Sequence, residues 1–160
     1  VLILLLPTNS FAENKIVFID IDFLMKNSNI GKLSLKKLEN LNKKNIKILK
    51  DNEKILKDKE NTLLPKKNII SKEEFENEIN SLRTEIKEFK IKKDNMVKDF
   101  NKLKVKELNE VLEKFNFKIQ DYMSQNSIDI VLNKNNIFIG KVSSDITKSV
   151  LVEINKEFKE

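Results

Sequence analysis

Apolar residues gather in short runs near the two ends of the chain and in long, widely spaced stripes between them. The front run is Lys15-Ile16-Val17-Phe18-Ile19-Asp20. The back pair is Ile128-Asp129-Ile130-Val131-Leu132 and Ile137-Phe138-Ile139-Gly140. Short runs rich in β-branched and aromatic residues read as strands. A single strand cannot satisfy its own backbone N–H and C=O groups, and the front run has no neighbour close in sequence. The pattern therefore predicts that the chain between Asp20 and Ile128 leaves as helix and returns, bringing the back strands beside the front one.

Residues 22–28 read as a short amphipathic turn of helix, and Gly31 predicts a break after it. Residues 33–64 are helical in pattern. Leu35, Leu49, Leu56 and Leu63 recur at sevens, with Asn42 in the vacant place and Asn45 and Asn52 near the seam. A seam interrupted by Asn packs less tightly than a full apolar stripe. Pro65 ends that helix, and Lys66-Lys67-Asn68 is a turn. Ser71 and Glu74 then form a capping box, and Ile70 and Phe75 stand where a hydrophobic staple places them. The second long helix carries the cleaner stripe: Phe75, Ile79, Leu82, Ile86, Phe89, Lys93, Met96, Phe100 and Leu103 step by four and three. Past Leu103 the frame slips by one and resumes at Leu108, Leu112, Phe115, Ile119 and Tyr122. About 32 residues on each side makes a hairpin of roughly 48 Å.

Asn126 and Ser127 close the second helix. Ile128, Ile130 and Leu132 alternate with less apolar neighbours, as a strand with one face on a core requires. Asn133-Lys134-Asn135-Asn136 supplies residues that tolerate a hairpin turn. Ser144-Asp145-Ile146-Thr147 predicts a capped helix showing Ile146, Val150, Leu151, Ile154 and Phe158 on one face. The fold class is α+β, mostly helical: a small β head of three strands per subunit, with a long antiparallel coiled-coil hairpin. The head comprises residues 13–32 and 104–160, and the hairpin residues 33–103. Three short strands make a very small core, so the heads are expected to pool their cores in an oligomer.

Composition sharpens this picture at three points. Two Gly and two Pro leave room for few sharp reversals, which suits long helices. The absence of Cys and His removes the usual zinc sites, thiol catalysis and imidazole acid–base chemistry. With no Gly-rich phosphate loop either, an enzyme is not expected. The net charge of +6 favours acidic partners or an anionic lipid surface. No aromatic residues interleave with the Lys-rich run from Lys43 to Lys67, so a nucleic-acid stacking platform is not expected. The apolar opening, followed by Ser10 and Ala12, reads as the remnant of a signal peptide over residues 1–12, cleaved near Ala12.

These residues together resemble the Skp/OmpH family of periplasmic chaperones. The front half of the likeness is the processed signal, the Lys15–Asp20 strand, Phe23-Leu24, Ser28 and Gly31. The back half is Ser127 to Asn133, the Asn135-Asn136 turn, Ile137-Phe138-Ile139, and Asp145-Ile146-Thr147 followed by Val150-Leu151. The resemblance implies a homotrimer in which three heads share a β-barrel-like body and three helical tentacles enclose a cavity. It implies a holdase that keeps unfolded outer-membrane proteins from aggregating in the periplasm, with no ATP, metal or other cofactor. On this reading Ile16, Phe18, Ile128, Ile130, Leu132, Ile137 and Ile139 form the shared oligomerisation core. Leu63, Leu64, Ile69 and Ile70 at the hairpin tip either touch clients or staple the turn. The alternative is a coiled-coil scaffold or adaptor of the envelope, which binds one folded partner instead of many unfolded ones. A cytosolic prefoldin-like chaperone also joins strands to coiled coils, but carries no signal segment.

Overall fold

A computed structural model describes residues 14–159. The elements run β1 (Ile16–Ile19), α1 (Ile21–Asn27), α2 (Asn29–Leu63), a 3-10 turn (Leu64–Asn68), α3 (Lys72–Gln125), β2 (Ile130–Asn133), two more 3-10 turns (Lys134–Asn136 and Val142–Ser144) and α4 (Thr147–Glu157). The expected signal remnant, residues 1–12, lies outside the described residues. The chain divides into two compact units. One contains the described residues up to Lys32 and those from Val111 onward; the other is Leu33–Glu110.

In the first unit the separated strands do meet. β1 and β2 pair in parallel, with Ile16 opposite Ile130, Val17 opposite Val131, Phe18 opposite Leu132 and Ile19 opposite Asn133. A parallel pair needs a long crossover, and the helices between the strands supply it. The Lys15 amide donates to the Asp129 carboxylate at 2.7 Å, pinning the start of the ladder. Under the sheet lies the unit's core: Val17, Ile19, Leu24, Val111, Phe115, Ile119, Ile128, Ile146, Val150 and Ile154. Leu24, Phe115, Val150 and Ile154 are fully buried, and α4 supplies the last two, as its apolar face predicts.

Gly31 does not break the chain. It sits inside α2, and the corner is made one turn earlier by Ser28, which is fully buried. The Ser28 amide donates to the Leu24 carbonyl at 2.9 Å and closes α1. Its hydroxyl accepts from the Gly31 amide at 3.1 Å and caps α2. A Cβ on Gly31 would lie 2.1 Å from the Met25 carbonyl oxygen, so the close backbone approach explains this glycine, not chain reversal.

Asn126 and Ser127 end α3 as expected. The Ile128 amide reaches back to the Met123 carbonyl at 3.0 Å, and Ser127 holds φ at 51°, which together form a Schellman cap with serine at the left-handed position. Glycine is the residue that adopts this conformation without strain. Ser127→Gly is therefore expected to raise stability by roughly 1 kcal/mol, read as a higher midpoint in thermal melts followed by circular dichroism.

The expected third strand is corrected. Residues 137–140 form no ladder within the chain, and the expected hairpin turn before them is a 3-10 turn over Lys134–Asn136. Part of the reason lies at the free edge of β1. There Phe18 bridges Asp145, and the Ile146 amide donates to the Phe18 carbonyl at 3.0 Å. The Asp20 amide, next along that edge, donates to the Thr147 hydroxyl at 2.9 Å. That closes the β1 edge; on the β2 side the 3-10 turn, with the Ile137 amide on the Lys134 carbonyl at 3.0 Å, replaces the hairpin reversal, and Gly140 lies against the Phe18 ring instead of beside β2.

In the second unit α2 and α3 run antiparallel. Lys37 pairs with Glu107, Lys59 with Glu85 at 2.6 Å and Lys66 with Glu78 at 3.1 Å. From Lys37 to Lys59 and from Glu107 back to Glu85 the chain travels the same 22 residues, so one register holds along the pair. These exposed ion pairs fix the register more than they add stability. The α2 seam is as expected at Leu49, Leu56 and Leu63, with Asn45 and Asn52 beside them, and also takes in Ser34, Leu38, Leu41 and Ile48, whereas Leu35 and Asn42 are exposed. Both Asn residues in that seam are half-buried, and the Asn52 amide turns back to the Ile48 carbonyl at 2.6 Å. The α3 stripe is as expected at Phe75, Ile79, Leu82, Phe89, Met96, Phe100 and Leu103, whereas Ile86 and Lys93 are exposed. α3 is one uninterrupted helix through the frame slip. At its start the Glu74 amide donates to the Ser71 hydroxyl at 3.2 Å, so the forward half of the capping box is made.

Candidate functional site

The two-stranded sheet has two faces with different fates. Side chains alternate along a strand, so Val17, Ile19 and Val131 turn into the unit's core while Ile16, Phe18, Ile130 and Leu132 share the opposite face. On that outer face Ile16 is 50%, Ile130 44% and Leu132 40% exposed. Phe18 is covered, because its ring lies beneath Gly140: a Cβ there would sit 2.7 Å from a ring carbon. Beyond it Phe138, Ile139 and Val142 project almost entirely into solvent, at 103%, 86% and 90% exposure.

Of the expected shared-core residues, the structure brings Ile16, Phe18, Ile130 and Leu132 together on one sheet face, with half-buried Ile137 against Gly140 next to Phe18. Ile139 stands in the adjoining exposed segment. Ile128 is set apart: it precedes β2, caps α3 through its amide and is buried in the subunit's own core. Phe138 and Val142 were not singled out from the sequence. The signal available was density: Ile137, Phe138, Ile139 and Val142 crowd a stretch that has no ladder to join. Isolated exposed apolar side chains are ordinary, but a contiguous group of them marks an interaction surface.

A polar cluster anchors the loop that carries this segment. Asp145 accepts from the Thr147 amide at 3.0 Å and from its hydroxyl, and forms an ion pair with Lys134 at 2.8 Å. Burial pushes the Asp145 carboxyl up, but the Lys134 and Thr147 hydrogen bonds and the Lys134 charge together outweigh it and hold the group below its ordinary value of 3.8. The hydrogen bond and charge of Asp145 hold Lys134 above its ordinary value of 10.5. A lowered carboxylate stabilises the fold above its unfolded pKa and loses that contribution as pH falls through the folded one; a raised ammonium contributes below 10.5 and loses its share above it. The clasp therefore acts across the neutral range. The melting difference between the parent and Asp145→Asn is expected to be full at neutral pH and to start shrinking only as pH falls below 3.8, toward the lowered pKa of the folded carboxyl, which paired melts across that range will check.

At the tip of the second unit, Leu63 is buried while Leu64 and Ile69 are exposed and Ile70 is half-buried. Leu63 therefore belongs to the turn's own packing, and Leu64 and Ile69 are the residues open to another molecule. Further apolar side chains are exposed along the two helices, among them Ile46, Ile55, Ile91, Val97 and Val105. Among the described residues no group of three or more His, Cys, Asp or Glu is arranged to hold a metal ion, and no helix is long and apolar enough to cross a membrane.

No curated protein matches the chain. Among solved structures, a proposed outer membrane chaperone (OmpH-like) from Caulobacter crescentus CB15 superposes with a TM-score of 0.85 at 18% identity, covering 96% of this chain and 91% of that one. At that identity the likeness is one of fold. The model of the family described as Outer membrane protein (OmpH-like) matches residues 15–154, spanning both strands, both long helices and most of α4. The chain belongs to the OmpH-like outer membrane protein family.

Proposed function

We propose that this chain is an ATP-independent holdase chaperone of the periplasm that binds unfolded outer-membrane proteins and prevents their aggregation. The observation that carries the reading is the division of labour between the two units. The first unit leaves a sheet face and the segment from Ile137 to Val142 uncovered. The second is a long charged helical pair that leaves scattered apolar side chains exposed. The uncovered face suits self-association, and the family resemblance supports a homotrimer with residues 13–32 and 104–160 as the oligomerising head. The helical pair suits many weak contacts with an unfolded chain. Such contacts keep client strands, with their open hydrogen-bonding edges, from pairing with one another. The Lys-rich surface favours acidic clients and lets an anionic lipid surface act as a secondary partner. The apolar opening of the sequence suits export to the compartment in which those clients are exposed.

Light scattering from an unfolded β-barrel protein diluted out of denaturant tests this. The holdase is expected to suppress the signal at a modest molar excess, without nucleotide. If scattering is unchanged, the scaffold reading replaces it, and pull-down with folded envelope proteins becomes the productive experiment.

A further inference from the structure

At the start of α3 the flank of the seam and the half-buried side of the tip meet a group of cations. A groove of about 800 Å³ opens beside the start of α3, within the usual size range of ligand pockets. Its apolar lining is Ile70, Phe75 and Ile79, all half-buried. Its cationic groups are Lys67, Lys72 and Arg83, against one carboxylate, Glu76. Glu76 lies 3.8 Å from the Lys72 ammonium, so that acid is already matched. Among the described residues no carboxylate lies within ion-pair distance of Lys67 or Arg83. Arg83 makes only a 3.4 Å contact with the neutral Asn80 side chain. It is also the single arginine in a chain whose other basic residues are all lysine. Guanidinium differs from ammonium in offering a rigid, planar fork that grips a carboxylate through two parallel bonds.

We propose that this groove docks an extended polypeptide segment in which a bulky apolar side chain is flanked by carboxylates, with Arg83 as the residue that reads the acid. The apolar side chain rests on Phe75 and Ile79, and Arg83 and Lys67 take the acidic flanks. The inference rests on the holdase reading and sharpens it: clients are held diffusely along the helices but are selected at this groove by sequence character.

The chain has no tryptophan, so a short unstructured peptide with one Trp between Glu residues reports binding without background fluorescence. A second peptide carries Lys in place of Glu. The full chain is expected to bind the acidic peptide and to discriminate against the basic one. Arg83→Glu is expected to weaken the acidic peptide by roughly tenfold or more, the loss of a charge-assisted contact, and to narrow or invert the preference. Arg83→Lys should recover only part of the loss, because the fork is gone. Arg83 is exposed, so these variants should melt as the parent does. Equal binding of the acidic peptide to the parent and Arg83→Glu overturns the proposal. So does displacement of the peptide by anionic phospholipid vesicles that themselves bind in an Arg83-dependent way, which would make the groove a headgroup site. If selectivity vanishes in Arg83→Glu while aggregation is still suppressed, both readings stand. If the peptide is never bound but aggregation is suppressed, only the groove fails. If the peptide binds selectively but aggregation is not suppressed, the holdase fails and the groove survives.

Discussion

Ile130→Asp is expected to dissociate the proposed trimer while leaving each subunit folded. Ile130 stands opposite Ile16 on the sheet face that turns away from the subunit's own core. In the single chain it is 44% exposed, so a carboxylate there remains solvated. In an assembly that pools this face, the same carboxylate loses its water with no cation paired to it, since the face is made of Ile16, Phe18, Ile130 and Leu132. Burying an uncompensated charge costs about 3–5 kcal/mol, and a symmetric assembly meets that cost in every copy. The expected result is sedimentation at the mass of one chain, with helical circular dichroism retained and aggregation suppression largely lost. Val131→Asp makes the contrast. Its side chain packs against the subunit core, so that variant should lose folded structure outright. If Ile130→Asp still assembles as the parent does, the outer sheet face is not the interface.

Gly31→Ala is expected to have the largest effect of any single-methyl change. The added Cβ would meet the Met25 carbonyl oxygen at 2.1 Å and the Ser28 hydroxyl at 2.8 Å. The first is backbone, and Met25 lies in α1, whose own hydrogen bonds resist displacement. The second is the cap of α2, so relief by moving Ser28 would break the corner. Overpacking of this kind costs about 1–3 kcal/mol, and a backbone clash sits at or beyond the upper end. For a chain of this size that corresponds to a fall in melting temperature of roughly 6–12 °C. Gly140→Ala should cost less, because its nearest neighbour is the edge of the Phe18 ring, a side chain with some freedom to move. A melting temperature unchanged in Gly31→Ala would mean that α1 and α2 do not approach as described.

Local signals were legible wherever chemistry is local. Pro65, the Ser71 cap and the Ile70–Phe75 staple place the turn between the long helices because each acts within a few residues. The separation of β1 from β2 was legible because unpaired strand groups must find partners somewhere. The misses share one cause: tertiary competition that no local pattern records. Residues 137–140 read as a strand, but a 3-10 turn follows β2 and Gly140 packs on the Phe18 ring, while Asp145, Ile146 and Thr147 take the free edge of β1. Gly31 reads as a breaker, whereas helix-on-helix contact is what excludes a side chain there. Leu35 and Asn42 read as the start of the α2 seam, whereas Ser34, Leu38 and Leu41 turn inward there. Ile128 lies in the subunit's own core, since its place after a helix cap sets its direction before the strand begins. Arg83 is not legible in the sequence, because a lone exposed arginine carries no pattern until the groove beside Phe75 and Ile79 gives it a context.

The most direct measurement is the mass, in solution, of the complex formed when an unfolded β-barrel protein is diluted into this protein without nucleotide. Sedimentation should find one client together with three copies of the chain, and the same three-chain mass without client. A single-chain species that leaves the client to aggregate would contradict both the pooled sheet face and the holding function.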